Sequence, residues 1–143
     1  MIVGIGTDLV EIARVKKACE KQAFLSRIYT EEERRQAEGA GGFRISRLAG
    51  DFAVKEAVAK ALGTGFRTFM PVDIEVLRDA LGKPYVVLYR EAEKLSRKMG
   101  IERIHVSITN EKEYALAYVV AEGRTDCTEQ EKTCEADLRT KDS

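Results

Sequence analysis

Asp51-Phe52-Ala53-Val54-Lys55-Glu56-Ala57-Val58-Ala59-Lys60-Ala61-Leu62-Gly63-Thr64-Gly65 reads as a helix closed by a glycine-rich turn. At about 100° per residue, Val54, Ala57, Val58 and Ala61 fall on one narrow arc that can face a core. Glu56 and Lys60 fall on the opposite side, one turn apart, with Phe52, Ala59 and Gly63 nearby. A carboxylate and an ammonium at i, i+4 commonly form nothing more than a solvated ion pair. The small neighbours open a second reading. Alanines and glycines let a ligand or a second chain approach closely, and Gly63-Thr64-Gly65 offers backbone N–H groups suited to phosphate oxygens.

Toward the N-terminus, this helix begins at Leu48, after the flexible run Gly39-Ala40-Gly41-Gly42. Thr30-Glu31-Glu32-Glu33 is a capping-box pattern that opens a short helix, and Phe24, Leu25, Ile28 and Tyr29 form an apolar cluster before it. From Glu11 to about Gln22, Ile12, Val15 and Cys19 recur at helical spacing, while Arg14, Lys17 and Lys21 make a basic stripe. That stripe is either a solvated face or a docking surface for an acidic partner. Residues 2–7 predict a short strand whose Gly4 and Gly6 leave one face bare for another backbone. Asp8 stands at its expected end, as a turn former, a helix N-cap or a carboxylate at the mouth of a site.

Toward the C-terminus, Val72–Leu77 alternates as a strand, and Gly82-Lys83-Pro84 turns the chain into a second strand over Tyr85–Tyr89. Glu91–Met99 predicts a helix stopped by Gly100. Ile104–Thr109 alternates cleanly and is joined through Asn110-Glu111-Lys112-Glu113 to a strand over Tyr114–Ala121. The order β-α-α-α-β-β-α-β-β predicts an α+β fold with a largely antiparallel sheet packed with helices. Residues 1–123 form its one domain. The polar tail 124–143 has Leu138 as its sole large aliphatic residue and is expected to be disordered or a loose terminal helix.

The chain of 143 residues carries 24 basic and 24 acidic side chains, so no global field draws it to nucleic acid or to an anionic membrane. No run approaches the ~18 apolar residues of a membrane span. The N-terminus has neither the basic region nor the long apolar run of a signal peptide. Cys19, Cys127 and Cys134 form no CxxC pair and no even disulfide set. These features predict a cytoplasmic protein with reduced thiols. His105 is the one histidine, which argues against a His-rich zinc site.

Three stretches carry polar groups that composition does not require: Asp8, the pair Glu56 and Lys60, and the polar face His105-Ser107-Thr109 ending at Asn110. Two carboxylates, a lysine and a glycine turn suit Mg²⁺ with a polyphosphate, because Mg²⁺ takes few protein carboxylates and completes its shell with water and phosphate oxygens. The Gly63-Thr64-Gly65 turn does not match the Walker pattern, since no Gly-Lys-Ser/Thr follows it.

Gly4-Ile5-Gly6-Thr7-Asp8-Leu9-Val10-Glu11-Ile12-Ala13-Arg14 resembles the opening motif of the holo-[acyl-carrier-protein] synthase family. Phe52–Gly65 resembles that family's second motif, and Gly82-Lys83-Pro84 and His105-Val106-Ser107-Ile108-Thr109 its third and fourth regions. The similarity runs in order from Met1 to about Gly123. It implies a 4'-phosphopantetheinyl transferase fold and a Mg²⁺-dependent enzyme of fatty acid biosynthesis. Such an enzyme transfers 4'-phosphopantetheine from coenzyme A to a serine of apo acyl carrier protein, releasing adenosine 3',5'-bisphosphate.

Carried over by position, the resemblance makes Asp8 and Glu56 the Mg²⁺ ligands and places Lys60 at the diphosphate. It sets Gly63, Thr64, Gly65 and Asn110 near the coenzyme. Glu56 and a metal-bound water are both candidates for the base. Family members form trimers with active sites between subunits, which implies a homotrimer here. Arg14, Lys17 and Lys21 suit the acidic helix of a carrier protein. One position departs from the pattern: the family usually has histidine where this chain has Asn110. An alternative reading is a non-catalytic coenzyme A or nucleotide-binding module; a third is a structural trimeric adaptor.

Overall fold

The computed structural model describes residues 1–125. Its architecture is built on a helix, α4 (Ile45–Ala61), laid across one face of a three-stranded antiparallel sheet. The strands are β1 (Ile2–Glu11), β6 (Ile101–Asn110) and β7 (Tyr114–Gly123), with β7 in the middle. Between β1 and α4 come α1 (Ile12–Cys19), α2 (Gln22–Ile28), α3 (Glu31–Ala37) and a small ribbon, β2 (Glu38–Gly39) with β3 (Gly42–Phe43). After α4, a 3-10 turn (Pro71–Asp73) leads into the hairpin β4 (Ile74–Arg78) and β5 (Pro84–Leu88), then α5 (Arg90–Lys98). The α+β class and the antiparallel pairing are as the sequence predicts. Among the described residues, no helix is long and apolar enough to cross a membrane.

The bare face of β1 explains how closely the helix sits. A Cβ on Gly6 would lie 1.8 Å from the carbonyl oxygen of Ala57, and one on Gly4 would lie 2.2 Å from that of Ala61. Backbone therefore meets backbone, and no side chain larger than hydrogen fits between them. Around this contact, Val54, Val58, Ile74, Val76, Ala117, Val119 and Ala121 form the main core. A second core of Leu25, Ile28, Tyr29, Ala37 and Leu48 fills the angle between α2, α3 and the start of α4. Tyr29 Oη fixes that angle by donating to the Leu48 carbonyl at 2.7 Å.

Several boundaries differ from the sequence reading. β1 does not stop at residue 7; β7 pairs with it as far as Glu11, and Asp8 sits opposite Ala117 inside the ladder. A neighbouring strand that supplies the hydrogen bonds outweighs the turn preference of a lone Asp. Asp8 is thus neither a turn former nor a cap, and α1 starts without a side-chain cap. Lys21 is not on α1; it precedes α2, which the sequence reading left as an apolar cluster. The segment expected to be flexible after α3 forms the β2–β3 ribbon. The capping box at Thr30 and Glu33 forms as expected, with reciprocal bonds of 3.2 and 2.8 Å. Of the expected tail, Arg124 and Thr125 are described, whereas Cys127, Cys134 and Leu138 lie outside the described residues.

The glycine contact gives a direct stability test. Gly6→Ala must push α4 off the strand and is expected to cost about 3 kcal/mol or more in denaturant unfolding. Gly41→Ala, where an added Cβ meets nothing within 4 Å, should stay within about 1 kcal/mol of wild type.

Candidate functional site

Seating Ala57 over Gly6 brings the polar stripe of α4 to the edge of β1. Asp8 shares a strand face with Gly4 and Gly6 by period-two alternation, and Glu56 and Lys60 stand beside it. Lys60 Nζ donates to the Thr7 carbonyl at 2.9 Å and to Asp8 Oδ1 at 3.1 Å. The ordinary i, i+4 pairing of Glu56 with Lys60 is not what forms: the lysine turns to the strand instead. Burial raises the pKa of Glu56 from its ordinary value; the Asp8 charge adds to the rise and Lys60 opposes it. Asp8 and Glu56 therefore share one electrostatic site, although 48 positions separate them in sequence.

Two hard-oxygen carboxylates with one ammonium can hold a dication that takes most of its ligands from elsewhere. Among the described residues, no group of three or more His, Cys, Asp or Glu side chains gathers as a closed metal cage. That donor set fits Mg²⁺ better than zinc.

The turn after α4 is shaped by two positive-φ glycines, Gly63 and Gly65. Their amides are spent on the helix: Gly63 N–H donates to the Lys60 carbonyl and Gly65 N–H to that of Ala59. The expectation that these amides face a phosphate is corrected at both positions, because they satisfy carbonyls left open at the helix end. What remains of that expectation is close backbone approach along an exposed turn.

His105, Ser107 and Thr109 are exposed on the sheet face away from α4, while Ile104, Val106 and Ile108 pack on the core. Within one chain they do not join Asp8 and Glu56. Asn110 lines a different feature, a cleft of about 320 Å³ walled by Arg44, Arg47, Arg78, Gly82 and Pro84. Gln36 organises the cleft. Its backbone carbonyl accepts from Arg44, and its side-chain oxygen accepts from Arg47 at 2.8 Å and from the Arg78 amide at 3.1 Å. Arg78 also pairs with the buried Asp51. Burial lowers the pKa of Arg47, Arg78 and Arg44 add to the fall, and Asp51 opposes it. The sequence reading missed this cluster, since Arg44 and Arg47 are ordinary helix-entry residues until β4 delivers Arg78.

Arg14 and Lys17 are exposed on α1 as expected. Arg14 lines a groove of about 410 Å³ with Leu9, Val10, Glu11, Val15, Ala18, Phe24 and Phe52. Phe52 precedes Glu56 by one turn of α4, so this groove leads toward the carboxylate pair.

The sequence reading also missed Lys55, which is 1% exposed. Its Nζ donates to Glu33 Oε1 at 2.8 Å and to the carbonyls of Pro71 and Ile74. Burial lowers its pKa while Glu33 opposes the fall. Glu33 also accepts from the Val76 amide at 3.0 Å, so α3, α4 and β4 meet at one ion pair. A signal was present: Lys55 stands between core positions, where a lysine needs a partner.

The family model for the 4'-phosphopantetheinyl transferase superfamily matches residues 4–119. The holo-[acyl-carrier-protein] synthase of Lachnoclostridium phytofermentans is 57% identical over 122 residues, covering 85% of this chain and 97% of that protein. The crystal structure of the Neisseria meningitidis holo-[acyl-carrier-protein] synthase superposes with a TM-score of 0.77 at 42% identity, over 85% of this chain and 99% of that one. The Bacillus anthracis enzyme, solved in complex with CoA (3',5'-ADP), gives 0.72 at 41% identity, over 87% and 99%. With its opening strand, its α4 stripe and nearly its full described length matched, the chain belongs to the holo-[acyl-carrier-protein] synthase family of 4'-phosphopantetheinyl transferases.

Proposed function

We propose that this chain transfers 4'-phosphopantetheine from coenzyme A to a serine of apo acyl carrier protein at the mouth formed by Asp8, Glu56 and Lys60. The observation that carries this reading is the convergence of those three groups from β1 and α4, with Lys60 bridging to Asp8. The serine oxygen attacks the pantetheine-side phosphorus of the diphosphate. The P–O bond to the nucleotide breaks, and adenosine 3',5'-bisphosphate leaves. Asp8 and Glu56 would hold Mg²⁺, which when bound neutralises charge on the diphosphate. The Lys60 ammonium donates to the leaving phosphate and offsets its developing charge. Glu56 is also this chain's candidate to take the serine proton.

Coenzyme A carries a 3'-phosphate as well as the diphosphate, so its nucleotide end needs a second anion site. The Arg44–Arg47–Arg78 cleft fits that need in charge and size. Asn110, on the same cleft, hydrogen-bonds the nucleotide rather than moving a proton, because an amide does not titrate near neutrality. The open face of the sheet exposes Ile5, Leu9 and Tyr118. A homotrimer would cover that face and let a neighbour contribute to each site. The carrier protein docks along Arg14 and Lys17, with an apolar residue in the groove floored by Phe24 and Phe52. Lys21 lies at the far end of this surface, past α1. The product serves fatty acid biosynthesis in the cytoplasm.

Incubation of the protein with apo carrier protein, coenzyme A and Mg²⁺, followed by weighing the carrier, should show the gain of one phosphopantetheine. A folded protein that adds no mass refutes the transferase reading. Asp8→Ala and Glu56→Ala should each cut the rate by at least about a hundredfold at low Mg²⁺; a near-wild-type rate for either would remove that residue from the metal site. Arg14→Glu should raise the KM for carrier protein by about tenfold while leaving the KM for coenzyme A in place. An unchanged carrier KM dismisses the docking surface.

A further inference from the structure

Behind the arginine cleft lies a carboxylate for which the transfer chemistry has no use. Asp51 is 1% exposed. Its Oδ1 accepts from Arg78 Nη1, whereas its Oδ2 is buried with no hydrogen-bond partner. A buried carboxylate with one oxygen unpaired is costly as an anion. Its pKa is raised to about 7, chiefly by burial, with Arg78 opposing the rise. The other charged or titratable groups facing it are Glu33 from α3, Lys55 on α4 itself, Arg47 at the start of α4 and Tyr29 after α2. From β6 comes the apolar Ile108, packed on Gly50. Among the described residues, Asp51 is the one carboxylate in a salt bridge with any of the three cleft arginines.

We propose that Asp51 is a positioning and specificity-setting residue for the nucleotide end of the co-substrate: it holds Arg78 in the cleft wall, and its charge state sets the net positive charge the cleft presents to a phosphate. The proposal rests on the reading that this cleft takes the 3'-phosphate. An ionised Asp51 cancels one guanidinium; a protonated one leaves all three to face the anion while its oxygen still accepts from Arg78. Phosphate binding therefore takes up a proton at Asp51, and affinity rises as pH falls through neutrality. The same sign holds for the fold, which is most stable with Asp51 protonated and loses that stability as pH rises from the ordinary carboxylate range to about 7.

The test compares binding of adenosine 3',5'-bisphosphate with adenosine 5'-monophosphate by calorimetry, in the full chain and in Asp51→Asn. Using both proteins at each pH cancels the titration of the ligand's own phosphates. At about pH 8.5, Asp51→Asn should prefer the bisphosphate roughly tenfold more strongly than wild type does, and by about pH 6 the two preferences should converge. Equal preferences at the higher pH overturn the role of Asp51. Asp51→Ala, which lacks the acceptor for Arg78, should prefer the bisphosphate less than Asp51→Asn at both pH values. If it matches Asp51→Asn, the positioning half of the proposal falls. Should neither wild type nor Asp51→Asn favour the bisphosphate at any pH, the cleft itself is wrongly assigned to the 3'-phosphate, a failure distinct from that of Asp51.

Discussion

The fold turns on a contact between two backbones. At Gly4 and Gly6 the first strand has no side chain on its inner face, and the carbonyls of Ala57 and Ala61 occupy the space a Cβ would fill. Side-chain packing always has some freedom to change rotamer, but backbone contact has almost none. The separation of strand and helix is therefore fixed, and with it the relation of Asp8 to Glu56. Those carboxylates are neighbours because of residues two and four positions before Asp8, which carry no chemistry.

The helix at the other side of that contact performs several tasks on different faces. Ala57 and Ala61 meet β1, Val54 and Val58 fill the core, Lys55 ties α3 and β4 together, Asp51 reaches Arg78, and Glu56 and Lys60 meet Asp8 at the mouth. A helix used on nearly every side has no broad polar face, which is why burial extends to Asp51 and Lys55. Lys55 is met by Glu33 and two carbonyls, and Asp51 on one oxygen by Arg78, so α4 is held in rotation as well as in position.

This distribution explains what the sequence disclosed and what it withheld. The α+β class followed from periodicity and turn residues, and the capping box at Thr30 was legible because it is a purely local device. Gly4 and Gly6 announced a close approach, though not by what. Asp8 was misplaced at a strand end because local preference cannot anticipate the ladder that β7 supplies. Helix spacing offered Glu56 as one partner for Lys60, yet in the fold its partner comes from β1. The arginine cleft was invisible for the same reason: Gln36, Arg47 and Arg78 acquire a common purpose only when α3, α4 and β4 pack together. Long-range partners, rather than local conformation, are what the sequence alone did not reveal.

The glycine contact has a further consequence for how such a protein can change over time. Because the spacing at the mouth is set by main-chain atoms, it does not depend on which aliphatic residues fill the core beyond. Val58, Ile74, Val76 and Val119 can exchange for others of similar total volume, as cores generally tolerate, without altering the gap between strand and helix. Sequence drift in the interior and constancy at the site are thereby uncoupled. A lineage can adjust its melting temperature through the core while two hydrogen atoms, on Gly4 and Gly6, keep Asp8 beside Glu56.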